Sequence, residues 1–237
     1  MIYIQSTSDK NLPHHFDAAC ALYGAEDLGL PFRLTSYEEV ASGKFDNLIR
    51  NNLFVGSTEF MLQVFNRANI DYQRLPNSNR PFETITLAEA RLRGKSGNHT
   101  FIKPFDIKLF TGFVIDESDY TSIKGLPDDT LVMAYEPFKS PLISEWRIYI
   151  HNGEIIDSRN YSGSFMISPD YSYVNQIVKE NKFACAYTLD VGILMNTKTV
   201  VVEYNDMWAI GNYGMANDLY VRALKDRYFE IIKGLKP

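Results

Sequence analysis

The chain is poor in the residues that carry the commonest side-chain chemistries. Only two cysteines, Cys20 and Cys185, occur in 237 residues, and they lie far apart. That excludes a disulfide scaffold and a cysteine-based zinc module, and both thiols are expected to be reduced and buried, in a reducing compartment. The four histidines, His14, His15, His99 and His151, show neither triad nor zinc spacing. No activated Ser or Cys nucleophile stands out. Basic charge is not in excess: 24 Lys and Arg stand against 29 Asp and Glu, for a net charge of −5. A nucleic-acid partner is therefore not expected. No apolar run reaches the 18 or so residues of a membrane span, so no membrane partner is expected either. The opening Met1-Ile-Tyr-Ile-Gln5 lacks the basic start and apolar run of a signal peptide. The cytoplasm is the expected location. Internal repeats and low-complexity tracts are missing too.

Apolar residues and aromatics are plentiful, at 45% and 14%. That is a globular composition, with large rings available for a core or for stacking on a flat ligand. The pattern alternates strands and helices. A strand is expected at 1–5, a helix within 15–29 ending near Gly24 or Gly29, a strand within 46–56 that stops at Gly56 and a helix through Phe65 capped by Ser57 or Thr58. The segment Leu75-Pro-Asn-Ser-Asn-Arg-Pro81 is the best linker candidate. Beyond it the pattern gives a helix at 86–93, strands at 100–104, 107–115 and 131–136, and a strand pair over 145–161. A helix near 170–182, a strand pair over 186–205 and a last helix at 215–233 follow. The fold class is α/β to α+β.

Two hairpins yield to arithmetic. Asn152-Gly153 is a two-residue turn signal. It pairs His151 with Glu154, Arg147 with Ser158 and Glu145 with Asn160. Arg147 then shares a polar face with Glu145, Tyr149, Ser158 and Asn160, while Asp157 and Arg159 interrupt the apolar face. In the second hairpin, a turn at Asn196-Thr197 sets Asp190 opposite Glu203, and a four-residue loop sets it opposite Asn205. Either even-length loop places Asp190, Glu203 and Asn205 on one face, because side chains alternate with period two. A three-residue loop breaks that geometry. Opposed carboxylates repel unless a cation lies between them. Two carboxylates and an amide suit Mg²⁺, but the same spacing also suits two exposed acids on a wet face. Lys103, in Phe101-Ile-Lys-Pro104, and Lys108, in Asp106-Ile-Lys-Leu-Phe110, are either snorkelling side chains or point charges for a phosphate. Val132-Met-Ala-Tyr-Glu-Pro137 is an apolar strand that ends in Glu-Pro.

The order of these features resembles the ATP-grasp superfamily: lysine-bearing strands, an apolar strand ending in Glu-Pro, Glu-x-Arg on a strand, then Asp-x-Gly and Glu-x-Asn on a hairpin. The resemblance runs from about Phe101 to Asn205. It is nearest to the divergent clade defined by an arginine and two lysines, to which a eukaryotic cell-division-cycle protein that assembles a translation initiation factor and many bacterial and phage proteins belong. It implies an ATP-grasp fold with an N-terminal α/β lobe at 1–74, a small lobe at 75–137 and a large lobe with the metal site at 138–237, the last two clasping the nucleotide. It also implies roles. Lys103 and Lys108 would contact ATP phosphates. Tyr135, Glu136 and Phe138 would hold adenine, and Arg147 would bind the γ-phosphate or the acyl-phosphate region. Asp190, Glu203 and Asn205 would hold Mg²⁺, and Arg147 and Lys108 would serve catalysis. Asp106-Ile107 stands where a long glycine-rich phosphate loop is usual, a departure that fits the divergent clade. The implied activity is ADP-forming ligation of a carboxylate to an amine through an acyl phosphate, with a protein or peptide among the eligible substrates. The alternative is an ATP-binding assembly chaperone with little catalysis.

Overall fold

The computed structural model describes residues 1–72, 75–76, 80–105, 109–116 and 121–234. Contacts group the chain into two units, Met1–Asn77 with Leu142–Pro237, and Ser78–Pro141.

The larger unit begins with a three-stranded parallel sheet. Its elements are β1 (Ile2–Gln5), α1 (Phe16–Asp27), β2 (Phe32–Thr35), the short helices α2 (Tyr37–Ala41) and α3 (Asp46–Ile49), β3 (Leu53–Val55) and α4 (Thr58–Arg67). The strand order is β2-β1-β3. Ser57 caps α4 as expected, its hydroxyl accepting from Phe60 N–H at 3.3 Å. The expected strand within 46–56 is β3, which ends just before Gly56, and the short helix α3 precedes it. Phe45 and Ile49, one helical turn apart, are both buried and bring that face down on the core. Of the two glycines near which the first helix is expected to end, Gly29 is the one. Gly24 lies inside α1, and a Cβ there would stand 2.2 Å from the Asn217 carbonyl oxygen. The glycine lets α1 approach the last helix closely, and the chain leaves α1 only at Gly29, at φ +61°.

The smaller unit is a four-stranded antiparallel sheet, β4 (Glu83–Thr86), β5 (Thr100–Pro104), β6 (Phe113–Ile115) and β7 (Leu131–Tyr135), in the order β4-β7-β5-β6, with α5 (Leu87–Lys95) against one face. Ile85, Leu87, Ala90, Ile102, Val132 and Ala134 form its core. Ile102 points into that core, so Phe101 and Lys103 take the other face. Of the strand expected at 107–115, 113–115 is present; Lys108 lies outside the described residues.

The larger unit resumes with β8 (Leu142–His151), β9 (Glu154–Gly163), α6 (Tyr171–Glu180), β10 (Ala186–Leu194), β11 (Thr199–Asp206) and α7 (Asn217–Lys233). This antiparallel sheet has the order β11-β10-β8-β9. One face packs Ile148, Ile150, Tyr187, Leu189 and Val191 against Val174, Ile177 and Val178 of α6. Every residue of β10 is buried. At one end of the opposite face, Tyr149 and Ala186 join the core that β1, β3, α1, α4 and α7 build.

Glu39 anchors the edge of the parallel sheet. It completes a capping box with Ser36 and lies beside Lys10, Arg33 and Lys44. Burial raises its pKa, but hydrogen bonds from Lys44, Lys10, Thr35 and Ser36 outweigh that and hold it at about 2, against 4.5 ordinarily. A depressed carboxylate stabilises the fold above its unfolded pKa, and that contribution is lost as pH falls toward the folded one. We expect Glu39→Gln to cost about 1–2 kcal/mol in urea unfolding at pH 7, with the gap to the wild type closing between pH 4.5 and 2. A pH-independent gap would show that the charge is not what matters.

Candidate functional site

The polar residues of the larger unit gather on the open face of the β11-β10-β8-β9 sheet. Asp190 pairs with Glu203 across β10–β11, and Thr188 with Asn205. The loop that achieves this has three residues, not two or four. Leu194 N–H donates to Lys198 O at 2.9 Å, and Thr197 sits at φ +67°. The odd loop alone would put Asp190 and Glu203 on opposite faces. A bulge restores the parity: Val191 pairs with Val201 while Asp190 pairs with Glu203, so Val202 is extra. It also makes Val201, rather than Val202, the core residue. Asn205 Nδ2 donates to Glu203 Oε1 at 3.0 Å and reaches Asp190 Oδ2 at 3.3 Å.

The first hairpin departs further from the simple count. Asn152 and Gly153 form the turn, at φ +52° and +79°, and His151 pairs with Glu154 as expected. Beyond Ile150–Ile155 the register slips: Tyr149 pairs with Asp157, Ile148 with Ser158 and Arg147 with Arg159. Ile156 is the extra residue. Ile155 packs in the core under α6 and Ile156 against the core of the parallel sheet. The bulge turns Asp157 and Arg159 onto the face of Arg147. Ser158 leaves that face, contrary to the expected pairing. A second slip at Tyr161 pairs Trp146 with Asn160 and Glu145 with Ser162.

A straight row therefore crosses four strands: Glu203, Asp190, Arg147, Arg159. Arg147 and Asp190 form a bidentate pair, Nε to Oδ1 at 2.8 Å and Nη2 to Oδ2 at 2.7 Å, with 6% and 2% exposure. Burial works against the guanidinium charge, but Asp190 overrides it and holds Arg147 above its ordinary pKa. Burial pushes Asp190 up to about 6, against the pull of Arg147, with Glu203 and Glu145 adding to the rise. At neutral pH both are charged, which the fork geometry favours. The rings of Tyr213 and Tyr161 lie 4.6 and 5.8 Å from the guanidinium, and the two rings stack at 5.5 Å. Tyr161 donates to Glu145 Oε2 at 3.2 Å. Among the described residues no three His, Cys, Asp or Glu side chains cluster as a metal site. The oxygen donors are two carboxylates and an amide, a hard set that suits Mg²⁺ completed by phosphate and water better than zinc.

The open face of the smaller unit brings together Lys103, Tyr135, Phe138 and Arg80. Phe101 pairs with Tyr135 and Lys103 with Met133. The Lys103 ammonium lies 5.4 Å from the Tyr135 ring. Arg80 stands 4.1 Å from the Phe138 ring and 5.0 Å from Tyr135, and its Nη1 donates to the Glu136 carbonyl at 3.1 Å. Tyr135 is buried and the Glu136 side chain is exposed. Arg80 is hidden in the sequence by its place in the Asn- and Pro-rich linker.

A family model for the ATP-grasp domain, family 2 of the clade named for one arginine and two lysines, matches residues 78–223, more than half of the chain. The chain belongs to that family. The whole fold agrees with this ATP-grasp assignment. The structure is similar to ATP-grasp ligase PsnB complexed with minimal precursor, Mg and ADP, at 11% identity over 96% of each chain with a TM-score of 0.51. It is also similar to N5-carboxyaminoimidazole synthetase from Staphylococcus aureus complexed with ADP, at 11% identity over 95% of this chain and 77% of that one, with a TM-score of 0.58. N5-carboxyaminoimidazole ribonucleotide synthetase from Thermotoga maritima gives 10% identity over 95% and 75%, with a TM-score of 0.54. Comparison with curated proteins gives no match. Among the described residues, no helix of this ATP-grasp protein is long and apolar enough to cross a membrane.

Removing one member of a buried ion pair strands the other charge, at about 3–5 kcal/mol. Arg147→Ala should therefore destabilise the ATP-grasp protein by that amount, and Arg147→Ala with Asp190→Ala by clearly less. Chemical denaturation of Arg147→Ala, Asp190→Ala and the double variant measures both; a double-variant loss equal to the sum of the two single losses would mean that the pair is not coupled.

Proposed function

We propose that this ATP-grasp protein is an ATP- and Mg²⁺-dependent carboxylate–amine ligase that forms ADP and acts through an acyl phosphate. The observation that carries the reading is the row Glu203–Asp190–Arg147, acid at one end and arginine at the other, in a chain of this family. Asp190, Glu203 and Asn205 would hold Mg²⁺. The ion would supply charge neutralisation on the phosphates. Arg147, fixed by Asp190 and flanked by Tyr161 and Tyr213, needs no reorganisation to meet the γ-phosphate, and fixed charge of that kind is the largest source of help in phosphoryl transfer. Lys103 is proposed for a phosphate of ATP on the resemblance. Tyr135, Phe138 and the backbone at Glu136 would hold adenine, with Arg80 bracing the two rings. Lys108, the second lysine of the resemblance, is proposed for a phosphate on the sequence alone.

In this reaction a substrate carboxylate oxygen attacks the γ-phosphorus and ADP leaves. An amine then attacks the acyl carbon, phosphate departs, and the amine loses a proton to give the amide. The residues position and neutralise; none forms a covalent bond to substrate. PsnB is an ATP-grasp ligase complexed with a minimal precursor, which supports including such precursors among the candidate substrates.

Isothermal titration with Mg·ATP tests the binding site. Glu203→Gln and Asp190→Asn should weaken Mg²⁺-dependent binding by at least about tenfold, roughly one charge-assisted contact, with the circular dichroism of the fold retained. Wild-type affinity in both variants refutes the metal assignment. Release of ADP and phosphate on addition of acids and amines tests the ligase reading, and stoichiometric ATP binding without turnover would favour an assembly role instead.

A further inference from the structure

Arg159 completes the row on the sheet face but takes no part in the site just described. Its environment differs from that of Arg147 in every respect that governs ligand binding. Arg147 is buried and clamped by both oxygens of Asp190, whereas the Arg159 side chain is 39% exposed. Arg159 Nε and Nη2 both go to a single oxygen, Asp157 Oδ2, at 3.0 and 2.7 Å. The other oxygen of Asp157 accepts from Ser158 N–H at 2.7 Å. A pair whose arginine is this accessible and meets only one carboxylate oxygen is held less firmly than a buried fork, so a competing anion can displace it. Yet the sequence keeps two arginines directly opposite each other on adjacent strands, an arrangement that is unfavourable unless anions are there to be shared. The bulge at Ile156 is what brings them together.

We propose that Arg159 is a second anion-binding residue and holds a carboxylate of the ligase substrate. It lies one strand beyond Arg147, about 4.8 Å along the row, on the side away from Glu203. A carboxylate bound there sits beside a phosphate bound at Arg147, while the metal end of the row stays clear of it. Asp157 serves as the internal counter-ion that keeps the guanidinium oriented until the substrate arrives. The substrate class is thus a carboxylate-bearing molecule whose anionic group is recognised apart from the γ-phosphate. The assignment to substrate rests on the ligase reading; the anion site itself does not.

The probe is glutarate, with uncharged glutaramide as control, titrated by isothermal calorimetry or ligand-observed NMR into the full chain with and without Mg·AMPPNP. Wild-type protein should bind glutarate and not glutaramide. Arg159→Gln should weaken glutarate by about tenfold, the worth of one charge-assisted pair, and leave Mg·AMPPNP affinity within about twofold. Asp157→Asn should tighten glutarate, because the internal competitor is gone; a merely structural role for the pair predicts weakening in both variants. Glutarate binding that is absent from the wild type, unchanged in Arg159→Gln, or weakened in Asp157→Asn overturns the proposal. Failure of the wild type to bind Mg·AMPPNP, with the glutarate effects intact, sinks the ligase reading and leaves an anion site at Arg159.

Discussion

The open face of the antiparallel sheet depends on one ion pair, Arg147 with Asp190. These residues sit opposite each other on β8 and β10, the two central strands, and both are buried. A buried charge without its partner is expensive, so these strands have one acceptable register. A slip by one residue would send the arginine into the apolar core under α6 and leave the aspartate facing nothing. Once that register is fixed, the outer strands inherit it. Glu203 comes to lie beyond Asp190 on β11, and Arg159 beyond Arg147 on β9. The outer strands carry bulges at Val202 on β11 and at Ile156 and Tyr161 on β9, and β8 itself carries one at Ile143, beyond the stretch that holds the ion pair.

This explains which parts of the site the sequence could disclose. The shared face of Asp190, Glu203 and Asn205 follows from period two, and it survives in the structure by a route that counting does not foresee: an odd loop and an odd bulge cancel. The β8–β9 hairpin has a clear turn signal but no such cancellation. Its bulge at Ile156 shifts the residues that follow it to the other face, and nothing in the turn announces it. The core that Ile156 packs against is built largely by β1, β3, α1, α4 and α7, remote in sequence. Counting from the turn therefore places Arg159 on the wrong face. Arg80 escapes for a related reason. Its partners, Tyr135 and Phe138, are more than fifty positions away in the chain, while its neighbours in sequence are those of a turn. The long helices and most strands, by contrast, are local affairs of capping and periodicity, and their places agree with expectation.

The two arginines of the row show why pairing alone does not define a functional charge. Arg147 meets both oxygens of a buried carboxylate and keeps its place; its partner's charge rises in cost with burial, and Asp190 is pushed up to about 6 as a result. Arg159 meets one oxygen of a more accessible carboxylate and can exchange it. The first arrangement suits a group that must already be in position when charge develops on a phosphate, since reorganisation at that moment would add to the barrier. The second suits a group that must bind and release a substrate in each cycle. Unit charges one strand spacing apart interact by about 3–4 kcal/mol at an effective dielectric of 20. The row is thus polar along its length, acid at β11 and basic at β9. A ligand with a metal cation at one end and a carboxylate at the other has only one favourable direction on it.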